Sequence, residues 1–495
     1  MTIMGIDINA ALADAEKTLK EDAALSSSAR ATMTLLLLVI QLLLDKLGMN
    51  SRNSSIPPSQ DPNRSSHKKK GDEGNGDEND PSATKRKRGG QPGRQGTTLN
   101  PVDTPDDVQS LTIDPCALPP GTWKEVGFER RQVFDIRISR HITEYRAQIL
   151  ENEQGQRCMA TFPEGITRPA QYGASIKAHA VYLSMYQLLP YERVQSMFEE
   201  QYNIPLSVGS LVNFNREAYE KAAPFEEAAK LWLRSSSVLH ADETSLNING
   251  KKWWLHDAFN SVCTLMNVAV QRGHVAMDEA GVLPYFQGTL VHDHWKPYYR
   301  YTCTHALCNA HHLRELTFAF EQNNQQWARH LHTLLLELNK AVTAAGGALS
   351  PEEAQVWRVR YRNILQEGEL ECPPPAPEPG QPRRGRPKRS KSRNLLERLQ
   401  AYEDDALRFV EHREVPFTNN QGERDIRMTK VHQKISGCFR SQEGAQSFCR
   451  LRSYLSTCGK NGVDASEAMK DLFSGQWPAF LQEKMNELAA HAGDR

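Results

Sequence analysis

Between Ser236 and Asp293 the chain changes periodicity repeatedly, and this stretch limits the possible folds more than any other. "SSVLHAD" (236–242) is a short apolar run ending on a carboxylate; "KKWWLHDAFN" (251–260) and "CTLMNVAVQRG" (263–273) follow as strand-like runs separated by turns. Together they predict a meander of three antiparallel strands. "AMDEAGVLPYF" (276–286) then carries its apolar residues at helical spacing, and "GTLVHD" (288–293) returns as a strand with a second terminal aspartate.

Three antiparallel strands, a helix and a fourth strand is the order of a ribonuclease-H-like domain, which makes Asp242 and Asp293 neighbours in space. A third conspicuous acid, Glu423, lies in "FTNNQGERDIRMTKVHQK" (417–434), 130 positions beyond Asp293. A shared site therefore requires a large helical insertion between them. The expected fold class is an α/β ribonuclease-H-like catalytic core with that insertion, preceded by a helical DNA-binding region and a flexible N-terminal arm. Three carboxylates from separate elements are what two divalent cations need for in-line attack on a phosphodiester, and hard oxygen ligands select Mg2+ or Mn2+ over zinc. Spacing alone leaves two other readings open. "NNQGE" also fits a capping box with Asn420 as cap and Glu423 as its partner. A zinc site could draw on His292, His294, Cys303, His305, Cys308 and His311. Zinc is disfavoured, because 292 and 294 share one strand face while 293 points to the other, and no C-x-x-C pair is present.

Sixty basic residues balance sixty acidic ones, so nucleic-acid binding must reside in local patches. Nine cysteines, an odd number, argue for a reducing compartment, which points to the cytoplasm. The Leu-rich "MTLLLLVIQLLLDKLG" (33–48) is too short to span a bilayer and wants burial on all sides; residues 1–49 are expected to be a helical oligomerisation arm. Residues 50–102 read as a linker ending in a basic block with Lys85, Arg86, Lys87 and Arg88, suited to phosphate contact. Residues 103–168 read as a small β-rich module, with "RQVFDIRIS" (131–139) as one strand. Residues 169–234 read as helical, with a break at Asn203-Ile204-Pro205 and a restart capped by Ser207. That is helix-turn-helix spacing, and it places Ser210, Asn213 and Arg216 on one exposed face able to reach base edges. Residues 235–304 form the first part of the core and 305–415 a helical insertion. Inside the insertion, Arg384, Arg386 and Lys388 lie in a Pro- and Arg-rich segment resembling an AT-hook. Residues 416–495 supply the Glu423 helix and C-terminal helices.

"LHADET", "LVHDHWKPYY", "CTHALCNAHHLREL", "RSKSRNLLERL" and "FTNNQGERDIRMTKVHQKISGCFRS" occur in the order and with the residues that resemble the insertion sequence 66 family of bacterial DDE transposases. "GGQPGRQG", "RQVFDIRISRHITEYRA" and "FPEGITRPAQYG" resemble the same family, so the likeness extends from about residue 50 onward. It implies that Asp242, Asp293 and Glu423 are catalytic acids holding two Mg2+ or Mn2+ ions. It also implies that Cys308 and His311 form a supporting C-x-x-H element, flanked in function by Asn420 and Arg424 beside the glutamate. The implied activity is cleavage at transposon ends and joining of the freed 3′-hydroxyl to target DNA. Implied partners are double-stranded DNA, further copies of the chain and smaller companion proteins of the same element, in the cytoplasm at the nucleoid and away from membranes. A catalytically inactive DNA-binding regulator, or a nuclease of the same fold that does not transpose, are the alternatives. The chain departs from the family in having only Cys116 and Cys158 where relatives carry a small zinc finger, so that module is expected to be metal-free and held by packing.

Overall fold

A computed structural model describes residues 2–3, 6–21, 25–48, 99–136, 138–374 and 389–493. The basic residues Lys85, Arg86, Lys87, Arg88, Arg384, Arg386 and Lys388 lie outside the described residues. The described residues fall into two units, one from Met1–Ser65 with Thr143–Arg495 and the other from Ser66–Ile142.

In the smaller unit the strand expected over 131–139 does not form, and Val133 and Ile136 are 91% and 80% exposed. Alternation specifies a strand only where one face is buried, and among the described residues of this unit no layer covers these side chains. Cys116 and Cys158, one in each unit, are both exposed free thiols.

The larger unit begins with the paired β1 (Thr2–Ile3) and β2 (Ile6–Asp7), then α1 (Ile8–Glu21) and the Leu-rich α2 (Ser27–Gly48). Leu35, Leu36 and Leu43 of α2 are exposed, and among the described residues no helix is long and apolar enough to cross a membrane. A hairpin of β3 (Ile149–Glu151) and β4 (Arg157–Met159) follows. Helices α3 (Ala174–Val181), α4 (Tyr191–Tyr202), α5 (Val208–Lys221) and α6 (Ala223–Arg234) come next. Left-handed Asn203 ends α4, and the Ser207 hydroxyl caps α5 by accepting from the Ser210 amide at 3.0 Å, as the break and restart predict.

The central sheet is built from β5 (Val238–Ile248), β6 (Lys251–Phe259), β7 (Thr264–Ala269), β8 (Thr289–His292) and β9 (Thr304–Leu307), in the order β7-β6-β5-β8-β9. The first three form the antiparallel meander, α7 (His274–Glu279) crosses over, and β8 pairs parallel with β5. β9, parallel to β8, corrects the helical reading of 305 onward: four residues are too few to display alternation. Gly288 lets β8 enter beside β5, because a Cβ there would collide with the carbonyl oxygens of Ser236 and Ser237.

After β9 the described residues of the insertion form α8 (Asn309–Asn323), α9 (Gln326–Ala344), α10 (Pro351–Glu371), α11 (Lys391–Ala401) and α12 (Glu403–Leu407). It encloses its own apolar cluster around Trp327, Leu331, Leu335, Tyr361 and Leu396. The chain then returns as α13 (Asn420–Ser436), α14 (Gln442–Lys460), α15 (Ala465–Phe473) and α16 (Ala479–Gly493). A second, larger cluster joins Phe198, Leu211 and Phe225 of the early helices to Leu239 and Leu255 of the sheet and Tyr454 of α14. Burying each such side chain stabilises the fold by roughly 1.5–3 kcal/mol, so α4–α6 and α14 are fastened to the same sheet.

Candidate active site

β5 and β8 run parallel with His240 opposite Val291. Two residues further on, Asp242 comes level with Asp293, the first residue past β8; β5 does not end on Asp242 as its apolar run suggests but continues to Ile248, and adjacent strands in any sheet lie about 4.8 Å apart. Both aspartates are half-buried. One Asp242 oxygen accepts from the Glu243 amide at 2.8 Å, and one Asp293 oxygen accepts from the Trp295 amide at 2.9 Å, a short side-chain turn that fixes the loop after β8.

Glu423 lies in the first turns of α13, and its side chain lies outside the described residues. What holds that helix end in place is Asn419. Its amide nitrogen donates to the Ala241 carbonyl at 3.0 Å, and its amide oxygen faces His240 Nδ1 at 2.8 Å, so that ring nitrogen carries the hydrogen. The backbone N–H of Asn419 donates to Cys308 Sγ at 3.1 Å, and the Cys308 N–H donates to the His292 carbonyl at 2.9 Å. The start of α13 is thereby tied both to the residue before Asp242 and to the residue before Asp293. Gly422 completes the approach: a Cβ there would collide with the Phe259 ring, so only glycine lets α13 lie this close to β5 and β6.

These contacts answer the capping-box reading. Asn419, not Asn420, is the cap residue, it makes no side-chain cap bond, and its side chain is committed to β5. Asn420 and Arg424 are exposed on α13. Cys308 is buried and precedes α8, and His311 is half-buried in the first turn of α8. Several histidines and one cysteine of the zinc alternative are engaged in other contacts. His292 Nε2 meets His305 Nδ1 at 3.0 Å, His294 packs edge-on against Tyr402, and Cys308 accepts from Asn419. β8 ends at His292, so the alternation argument stops short of His294. Burial in apolar surroundings lowers His240 to about 4 and His292 to about 3, the neighbouring His305 adding to the latter, so both rings are neutral at pH 7.

Several charged groups here escape a reading of spacing alone. Asp257 stands opposite Asp242 on β6, is fully buried, and finds no hydrogen-bond partner among the described residues. Burial, then Asp425, raise its carboxyl well above the usual range, against the pull of Lys460. Lys460 pairs with Asp425 at 3.1 Å. On β5, the buried Glu243 carboxylate accepts from the Tyr298 hydroxyl at 2.5 Å and from Arg272 Nε at 3.0 Å. Arg272 is sandwiched between Trp254 and Trp295, with its guanidinium carbon 5.0 and 4.1 Å from the ring centres. Arg398 of α11, paired with Glu315, sits near enough to Asp293 for that carboxylate to counter the lowering of its pKa by burial. Only the register of a folded sheet shows that "LHDAF" stands opposite "HADET".

Among the described side chains no group of three or more His, Cys, Asp or Glu is gathered closely enough to hold a metal ion. The hard oxygen donors of Asp242, within β5, and Asp293, just past β8, are of the kind that binds Mg2+ or Mn2+. Apart from this site, Ser210, Asn213 and Arg216 lie along α5. Asn213 and Arg216 are exposed and hydrogen-bonded to each other, and Ser210 is half-buried against the Ser207 hydroxyl at 3.0 Å.

A family model described as the IS66 family of transposases matches residues 169–447, which takes in α4–α6, the whole sheet, the insertion and α13. No curated protein matches the chain.

Proposed function

The chain belongs to the IS66 family of transposases, and on that premise we propose that it is an active DDE enzyme with a ribonuclease-H-like core. It cuts DNA at transposon ends and joins the freed 3′-hydroxyl to target DNA. The observation that carries this reading is the level position of Asp242 on β5 and Asp293 just past the parallel β8, with the start of the Glu423 helix tied by Asn419 to Ala241. The strand order β7-β6-β5-β8-β9 supports the fold assignment. Asp242, Asp293 and Glu423 would hold two Mg2+ or Mn2+ ions, which when bound supply activation of the attacking oxygen and stabilisation of the leaving 3′-oxygen. The chain's own work is positional. Neutral His240 orients Asn419, Asn419 and Cys308 lock the helix start, and the Trp295 amide holds one Asp293 oxygen in place.

The same reading extends to groups away from the centre. Ser210, Asn213 and Arg216 would contact the transposon end, with the segments holding Lys85–Arg88 and Arg384, Arg386 and Lys388 adding phosphate or minor-groove contacts. The exposed leucines of α2 suit self-association, and the work would be done at the nucleoid with companion proteins of the element. The test is direct. Asp242→Asn, Asp293→Asn and Glu423→Gln each remove the charge that holds a cation while keeping the shape. Each should abolish Mg2+-dependent cleavage by at least about 100-fold, roughly 2.7 kcal/mol of barrier, with end binding retained. Normal cleavage by Glu423→Gln would overturn the assignment. Cleavage without strand-transfer product in the wild-type chain would favour the non-transposing nuclease.

A further inference from the structure

We infer that the exposed face of α13, together with the tip of the β5–β6 hairpin, is the track on which the phosphate backbone of the transposon end lies as it enters the site. The inference rests on the reading of Glu423 as a catalytic acid. α13 buries Gly422, Ile426 and Thr429 towards the sheet and turns Arg424, Arg427 and Lys434 to solvent. Arg427 and Lys434 follow Glu423 by four and eleven residues, close to one and three turns, so the row extends about 16 Å along one side of the helix. The hairpin continues this surface. Asn249 N–H donates to the Phe439 carbonyl at 2.7 Å and Phe439 N–H to the Asn247 carbonyl at 3.0 Å, which sets Arg440 beside the turn bearing Lys251. Lys252 lies over Trp254 at 4.6 Å, near enough to Lys430 to join burial in lowering that ammonium's pKa.

The charge pattern distinguishes this surface from an ordinary solvated one. From Ile426 to Gln442 the sequence holds Arg427, Lys430, Lys434 and Arg440 and no acid, and from Asn247 to His256 it holds Lys251 and Lys252 and no acid. Among the described residues no carboxylate lies within ion-pair distance of Arg424, Arg427, Lys434, Arg440, Lys251 or Lys252. Exposed cations held together without counter-charge repel one another and are relieved by a polyanion, which releases its condensed counterions on binding. The end is the DNA cut at this site, so the phosphates flanking its scissile bond are the ones that must pass over the helix bearing Glu423.

The full-length chain carrying Arg427→Ala, Lys434→Ala and Lys251→Ala is titrated, in chelator and without divalent metal, against an end duplex that spans the cleavage position. Affinity should fall about tenfold at moderate salt, and the slope of log affinity against log salt should shrink by about 0.9 for each phosphate no longer neutralised. Arg427→Lys with Lys434→Arg should keep the wild-type slope. Should the alanine variant melt early, Arg427→Gln with Lys434→Gln gives the same readout with side-chain length retained. Unchanged affinity and slope would overturn the inference. So would unchanged end affinity with a defect confined to joining into target plasmid, which would assign the surface to target DNA. Because the readout is binding without metal, failure of the track leaves the Glu423→Gln result standing, and the reverse also holds.

Discussion

The helical insertion and the α13 face use the same residue types in opposite ways. In the insertion Arg358 binds Glu403 at 3.2 Å, Asp404 at 2.8 Å and Glu411 at 2.8 Å, while Arg393 binds Glu369 at 2.6 Å and Glu397 at 2.9 Å. These guanidiniums join α10 to α11, α12 and the turn after them. On α13 and the β5–β6 hairpin the exposed cations have no such carboxylates among the described residues. A net charge of zero thus conceals a segregation: Arg358 and Arg393 are committed to internal cohesion, whereas the exposed cations of α13 are presented outward. Pairing, rather than the number of basic residues, separates a structural arginine from one available to a partner.

The largest expected effect tests that difference directly. Arg358, with a side chain only 14% exposed, is the partner of Asp404 and Glu411 and shares Glu403 with Arg362, so its removal strips two carboxylates of this partner and leaves Glu403 on Arg362 alone. Arg358→Ala should therefore lower unfolding stability by about 2–3 kcal/mol in denaturant titrations, with end-DNA affinity unchanged. Arg427→Ala should stay within about 0.5 kcal/mol of wild type in the same assay. If the two variants lose comparable stability, the contrast between the regions fails.

A second expectation concerns protonation. The α13 side of the sheet packs neutral rings where the insertion uses ion pairs. His432 of α13 stacks on Phe439 at 4.3 Å, and burial lowers it to about 4. Its folded pKa lies below the unfolded value of about 6.5, so the unfolded chain binds the extra proton first. Stability from this group is full above pH 6.5 and declines as pH falls towards 4. His432→Phe should flatten that acid loss by up to about 2 kcal/mol, followed by melting between pH 7 and 4.5. An unchanged profile would mean that the ring is not held neutral.

A third expectation contrasts the α13 track with α5. Asn213→Ala with Arg216→Ala should weaken binding to the correct end sequence by about 1–3 kcal/mol while sparing non-specific DNA. The track substitutions should weaken both alike. Equal losses on both DNAs for the α5 pair would reduce that segment to a helical hairpin.

How far the fold is legible in the chain differs by element. The meander, the crossover and the strand leading to Asp293 follow from apolar runs separated by turns, and the Ser207 cap from one hydroxyl after a break. Residues 131–139 show the limit of periodicity. Their alternation is as clear as that of any strand in the sheet, yet Val133 and Ile136 face solvent, because a repeating pattern records a propensity and not the presence of a covering layer. β9 shows the converse: "THAL" has too few residues to signal anything and takes its form from pairing with β8. At the site, Asp242 and Asp293 can be paired by topology, whereas the role of Asn419 cannot, since Asn420 beside it is the same residue type in the same run.

What the sequence determined by itself is the order of elements, the interval between the acids and the need for a helical insertion, because these depend on local periodicity and on covalent distance along the chain. What only the tertiary structure decided is which groups meet. Asn419 reaches Ala241 across 178 positions, Asp257 comes to face Asp242, and Arg358 finds its acids while Arg427 meets none among the described residues. The physical reason is that hydrogen bonds and ion pairs act over a few ångströms. Their partners are set by sheet register and by the packing of α13 against β5, and neither leaves a local mark in the chain.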